Sequence, residues 1–147
     1  MKKIKFGPLS ILLLLTLSNC HKKTISMKEV TIPQIIFGSG GGFAGLETEF
    51  CLLQDGKIIQ KINKVDTIVN VVARIGKKKA AKCFDDCRSL KIETMKMNEP
   101  GNIYHFIVYN GGSKILNRVV WNAAEKPAID GLEEMHKVLT GFLPKKE

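Results

Sequence analysis

Directly after a glycine-rich stretch, Leu46, Thr48, Phe50 and Leu52 alternate with Glu47, Glu49 and Cys51. That period of two is the mark of a half-buried strand, with one face toward a core and the other toward water. It fixes the meaning of the glycines before it. Gly40-Gly41-Gly42-Phe43-Ala44-Gly45 formally matches G-x-G-x-x-G, which binds a dinucleotide by aiming its pyrophosphate at a helix N-terminus. A strand in place of the helix removes that dipole, so nucleotide binding is not expected. No Gly-Lys-Ser/Thr follows for a phosphate loop, and Phe37 stands where a serine elbow at Ser39 requires glycine. The glycines instead permit a sharp turn or a close backbone approach. Phe43, inside them, either folds back as a core plug, the favoured reading, or stands exposed as a rigid anchor for a protein partner. In the second case Gly41, Gly42, Phe43, Ala44 and Gly45 form the contact.

The rest of the chain is read around that strand. Ile32 to Phe37 is a first strand, and Asp55-Gly56 turns the alternating strand into a third over Lys57–Lys61. Asp66 is a candidate helix cap, with Ile68, Val72 and Ile75 at helical spacing, although the stretch is rich in β-branched residues. Beyond Gly76, which breaks or kinks the run, Ala80, Cys83, Phe84, Cys87 and Leu90 form one apolar helical stripe, with Lys82 and Asp86 paired on the polar side. Asn98-Glu99-Pro100-Gly101-Asn102 is a turn, and Ile103–Tyr109 begins a hairpin that returns to Trp121. A last helix follows Pro127, with Asp130-Gly131-Leu132-Glu133 as a capping box. Its inward stripe is Ile129, Leu132, Met135, Leu139, Phe142 and Leu143, and Pro144 ends it. Trp121 is expected beneath this helix. The expected class is α+β: a mostly antiparallel sheet of about five strands on two helical segments, in the order β-β-β-α-β-β-α.

The first twenty residues do not belong to that fold. A basic start, Met1-Lys2-Lys3-Ile4-Lys5, precedes the apolar run Leu9–Leu17 and then Ser18-Asn19-Cys20. This is the tripartite form of an export signal, and the run is too short to span ~30 Å of hydrocarbon. Leu17-Ser18-Asn19-Cys20 resembles the lipobox of bacterial lipoproteins, with Asn19 replacing the small residue usual before the cysteine. The resemblance implies lipid on Cys20, which becomes the first residue, and acyl chains as the membrane anchor. Residues 1–19 are then the signal, 20–31 a lipidated tether, 32–143 one α+β domain, and 144–147 a basic tail. Residues 20–147 number 128, and removal of Lys2, Lys3 and Lys5 lowers 23 basic residues to 20 against 14 acidic ones, a net charge of +6. Lys22 and Lys23, beside the anchor, suit anionic headgroups. Lys77, Lys78, Lys79 and Lys82 read as a solvated face. Nucleic acid is not an expected partner, since export separates the chain from it and no aromatic–basic motif occurs.

With Cys20 assigned to lipid, Cys51, Cys83 and Cys87 remain. Cys83 and Cys87 suit a mutual disulfide badly at helical i, i+4 spacing. Buried packing, or one disulfide from Cys51 to Cys83 or Cys87, is favoured over a metal site, because no C-x-x-C occurs. His21, His105 and His136 share no ligand spacing, and structural roles are expected for them. Glu47 and Glu49 share the strand face opposite Phe50, where such pairs are commonly solvated; acid–base chemistry there is the enzymatic alternative. No metal and no cofactor are expected.

Gly40–Gly45, the Asp55-Gly56-Lys57 turn, the Glu99-Pro100-Gly101-Asn102 turn and the Val120-Trp121 strand end together resemble a group of small bacterial lipoproteins carrying a Gly-Gly-Gly-Phe-X-Gly segment. The resemblance runs from Ile35 to Leu143 and implies an envelope location, without lending an activity. More remotely, Gly41-Gly42-Phe43-Ala44-Gly45-Leu46 and the order of elements are similar to emfourin, an inhibitor of thermolysin-like metalloproteases. That similarity implies Phe43 as an inhibitory contact. The expected role is therefore a non-catalytic, lipid-anchored module of the bacterial envelope, facing the periplasm and binding an envelope protein. A metalloprotease inhibitor is the first alternative, and a small enzyme using Glu47 and Glu49 the second.

Overall fold

The computed structural model describes residues 32–61, 69–112 and 116–145. The expected signal, lipidation site and tether lie outside them. Seven strands form one mixed sheet: β1 Gln34–Gly41, β2 Leu46–Leu53, β3 Lys57–Lys61, β4 Val69–Arg74, β5 Asn98–Glu99, β6 Ile103–Asn110 and β7 Asn117–Asn122. Their order across the sheet is β4-β3-β2-β1-β6-β7-β5. All pairs are antiparallel except β5 with β7. Helices α1, Lys77–Ser89, and α2, Leu132–Thr140, cover one face. The class is α+β, as expected. Seven strands replace the expected five, and the order is four strands, a helix, three strands and a helix.

The additional strand β4 occupies the stretch read as helix. Residues 62–68 lie outside the described residues, but Val69–Arg74 pairs with β3 across a register shift at Ile58/Ile59. Val71 and Val72 lose little rotamer freedom on a pleated surface and more in a helix, so β-branching wins over a three-residue coincidence of helical spacing. The helix begins only after Gly76, which stands at its N-cap with extended backbone. From there the expected stripe holds: Ala80, Cys83, Phe84 and Cys87 are buried, and Lys82 Nζ meets both Asp86 carboxylate oxygens at 2.9 Å. Strand β5 emerges from the expected turn because Val120 donates its backbone N–H to the Met97 carbonyl at 3.1 Å, which draws the segment against the β7 edge.

Strand alternation sorts the side chains. Ile35 and Phe37 of β1, Leu52 of β2, Ile58 of β3, Ile107 and Tyr109 of β6, and Val119 and Trp121 of β7 face the helices. They meet Leu132, Met135 and Leu139 of α2, the expected stripe, with Ile129, Phe142 and Leu143 packed at its margin. The intervening residues face the uncovered side. There Phe106, Val108 and Val120 are buried with Ile36 and Tyr104 beside them, roofed by Arg118, whose guanidinium carbon lies 3.9 Å from the centre of the Phe106 ring. Such a cation over a ring contributes about 0.5–1 kcal/mol where water has access.

The two sides of the sheet decide the cysteines. Cys51, opposite Ile36, lies on the uncovered side, its thiol 3.4 Å from Gln34 Oε1. Cys83 and Cys87 sit on α1 across the sheet. The intervening sheet therefore keeps Cys51 from both, the expected disulfide to Cys83 or Cys87 does not form, and all three side chains are buried. Burial pushes the Cys83 thiol up and the Cys87 thiol further up, so neither is poised as a nucleophile.

Candidate functional site: an exposed apolar tip and a buried histidine cluster

The glycine cluster divides between strand and turn. Gly38, Gly40 and Gly41 belong to β1, and Gly42-Phe43-Ala44-Gly45 closes the hairpin to β2. The turn carries a hydrogen bond from Gly45 N–H to the Gly42 carbonyl at 3.1 Å, with Phe43 and Ala44 at its centre. Gly41, Gly42 and Gly45 take φ of +99°, +74° and +58°, which a side chain resists. A second tie, from Gly42 N–H to the Asn102 carbonyl at 2.7 Å, fastens the turn to the loop before β6.

This frame holds Phe43 away from the molecule. Phe43 is 110% exposed, so the core-plug reading is overturned: the turn tightens before its ring can reach the sheet. Register brings two more apolar residues beside it, since Gly41 pairs with Leu46 on one side and Ile103 on the other. Leu46 is 74% exposed and Ile103 53%. Sequence reasoning placed Gly41–Gly45 together but missed Ile103, which joins them only through the β1–β6 register.

Glu47 is committed elsewhere. Its carboxylate accepts from Tyr104 Oη at 3.0 Å and from Arg118 Nη2 at 2.6 Å, bracing β2 to β6 and β7 across the glycine floor of β1. A Cβ at Gly40 would lie 2.5 Å from that Tyr104 hydroxyl, so the small residue is what lets the bridge cross. A carboxylate so occupied is a strut between strands, and this weakens the reading of Glu47 and Glu49 as an acid–base pair.

A cluster of titratable side chains lies on the helix-covered face. His105 of β6 stands opposite Trp121 of β7 in register, and α2 brings down Glu133 and His136. The imidazoles of His105 and His136 stack with centres 4.1 Å apart, and the Trp121 ring meets each of them edge-on. Trp121 thus lies beneath the last helix as expected. Glu133 Oε2 accepts from Trp121 Nε1 at 2.9 Å and lies 3.4 Å from His105 Nδ1. His136 Nε2 donates to the Gly38 carbonyl at 3.0 Å, and since a carbonyl only accepts, that nitrogen carries the proton. The expected capping box does not form. Gly131, at φ +87°, is the N-cap of α2 without a side-chain cap bond, because Glu133 turns inward to Trp121.

Burial holds the His136 imidazole below its usual range, with His105 adding to the shift. Burial works against Glu133 in the opposite sense, but the bonds from Trp121 and His105 outweigh it and hold the carboxyl below its ordinary value. Both shifts act in one direction on acidification. The unfolded chain takes up a proton at His136 first, so stability falls as pH drops below about 6.5 toward the folded value. The contribution of Glu133 is present above its unfolded pKa and lost as pH falls through the lower folded one. We expect the urea midpoint to be level near pH 8 and to decline from pH 7 to 5, with His136→Gln flattening that decline; an unchanged slope in the variant would contradict the assignment. Among the described residues no group of three His, Cys, Asp or Glu is placed to hold a metal ion, and no helix is long and apolar enough to cross a membrane.

No protein-family model matches the chain, and no curated protein matches it. The functional reading therefore rests on the geometry of the domain and on the sequence signal before it.

Proposed function

We propose that this is a lipid-anchored bacterial envelope protein whose domain binds another envelope protein through the Gly42–Gly45 tip. The supporting observation is the exposed ring of Phe43 on a turn held at both ends by hydrogen bonds, flanked by exposed Leu46 and Ile103. An aromatic fixed outside the fold loses little conformational freedom on binding and brings a large apolar surface to a partner pocket. The anchoring half of the reading is supported by the sequence signal ending at Cys20. Strand β1 adds a geometric reason: its eight residues separate Ile32, where the chain arrives from the tether, from the tip by about 25 Å. A tether at one end leaves the other free to reach outward.

Phe43→Asp tests the contact. Its side chain touches nothing that holds the fold, so thermal stability is expected to stay within about 0.5 kcal/mol. Partner capture from envelopes after crosslinking is expected to fall more than tenfold, the scale of a hot-spot residue. Undiminished capture of the same partner would remove the tip from the interface.

The same convex tip favours a second reading, insertion into the cleft of a metalloprotease. Titration of thermolysin-like enzymes with the protein distinguishes the two: absence of inhibition at micromolar excess leaves the non-inhibitory module standing.

A further inference from the structure

The end of the sheet opposite the tip gathers basic side chains that the protein contact does not use. Gln34 pairs with Leu53 there, Gly56 N–H bonds the Leu53 carbonyl at 2.9 Å, and Ile75 N–H bonds the Gly56 carbonyl at 2.8 Å. The start of β1, the β2–β3 turn, the end of β4 and the first turn of α1 are thus brought to one place. Asn110 Nδ2 also bonds the Ile32 carbonyl at 3.4 Å, so the chain arriving from residue 31 enters the domain at this end.

Arg74, Lys77, Lys78 and Lys79 are all exposed there. Among the described residues the acidic side chains nearby are engaged: Asp55 with Lys57, Asp85 with Arg88 and Asp86 with Lys82, while Glu93 lies close to Gly111. Among the described residues, Lys77, Lys78 and Lys79 make no ion pair. Their position is also unfavourable for the helix itself. They occupy the first turn of α1, which holds no acidic residue, where the backbone dipole disfavours cations. Three lysines that oppose their own helix and pair with no carboxylate among the described residues call for an external anion.

We propose that Arg74, Lys77, Lys78 and Lys79 form a docking surface for the anionic headgroups of a lipid bilayer, which holds the domain upright with its tip outward. The orientation rests on the anchoring reading above. A bilayer suits this cluster better than a nucleic acid does. The cations are three point-charge lysines and one arginine, and the exposed aromatic Phe43, the kind of side chain that stacks a base, is at the far end of the sheet.

The test uses the full chain with vesicles of phosphatidylcholine and of a phosphatidylcholine–phosphatidylglycerol mixture. The readout is the ratio of binding to the two, which cancels any contribution of acyl chains or apolar leader. Each lysine near an anionic surface strengthens binding about fivefold, so Lys77→Gln/Lys78→Gln/Lys79→Gln is expected to lower the ratio roughly a hundredfold. The charge-matched Lys96→Gln/Lys126→Gln/Lys137→Gln triple, exposed elsewhere, is expected to keep it. Equal losses in the two triples would mean that only net charge matters and would overturn the surface. A short DNA duplex bound with the same dependence on Lys77–Lys79 would mark a general polyanion site and overturn it as well. Mass measurement of Cys20 separates the two claims. An unlipidated Cys20 with a lysine-dependent ratio sinks the anchoring reading alone, and a lipidated Cys20 with indifferent lysines sinks the docking surface alone.

Discussion

Trp121→Ala is expected to lower the unfolding free energy by about 3–5 kcal/mol, the cost of emptying a buried indole site. Trp121 is 2% exposed and joins three parts of the molecule: the β6–β7 hairpin, the stacked imidazoles and α2 through Glu133. Against a total stability of about 5–15 kcal/mol, that loss leaves the domain marginal. Trp121→Phe separates the contributions. It keeps an aromatic ring but removes the Nε1–H donor, so the cost is expected to drop to about 1–2 kcal/mol while the Glu133 carboxyl returns toward its ordinary range. Chemical denaturation of both variants, with NMR titration of Glu133, checks the pair. Equal costs for Ala and Phe would mean that the hydrogen bond, not the volume, dominates the site.

The second large effect falls on Gly38. A Cβ built there would lie 1.9 Å from the Thr48 carbonyl oxygen and 3.0 Å from Phe106 Cζ. The first contact is with backbone and cannot be relieved by a rotamer change, so β1 and β2 must part. Gly38→Ala is expected to cost about 3 kcal/mol, the upper range for an overpacked core. Its carbonyl also accepts the hydrogen bond from His136 Nε2, so displacement of β1 disturbs the imidazole stack as well. Gly42→Ala provides the contrast: nothing lies within 4 Å of its added methyl, and only φ of +74° resists it, at about 1–2 kcal/mol. A thermal melt in which Gly42→Ala cost more than Gly38→Ala would reverse the order that the geometry sets.

These residues show which parts of the structure can be read from a sequence. The hairpins around Asp55-Gly56 and Asn110-Gly111 follow from local turn chemistry and alternation, and β2, β3, β6 and β7 lie close to where those signals put them. The α1 stripe was equally plain because Ala80, Cys83, Phe84 and Cys87 satisfy only a helical period. Strand β4 failed because its valines satisfy neither period cleanly: Val71 is exposed and Val72 half-buried on an edge strand. Two-residue β5 has no local signal at all, since it exists only through its partner β7.

The candidate sites divide in the same way. Turn-forming glycines are visible in sequence, but whether Phe43 faces in or out depends on how soon the turn closes, and on Asn102 from a distant loop. His105, Trp121 and His136 were each placed on their own elements. Their union with Glu133 arises from the β6–β7 register and the descent of α2, while the sequence pattern assigned Glu133 to a helix cap. Lys77–Lys79 are conspicuous as a run, yet their place beside Ile32 appears only once β3, β4 and α1 are tied to the start of β1.

The central claim is that the glycine turn presents Phe43 to a protein partner. Its most direct measurement is site-specific photocrosslinking in intact cells, with a photoreactive phenylalanine analogue at position 43 and, as a control, at exposed Val138 on α2. One discrete protein adduct is expected from position 43, lost when Leu46→Asp is added, and none of that mass from position 138. Adducts absent at 43, or the same from both positions, would contradict it.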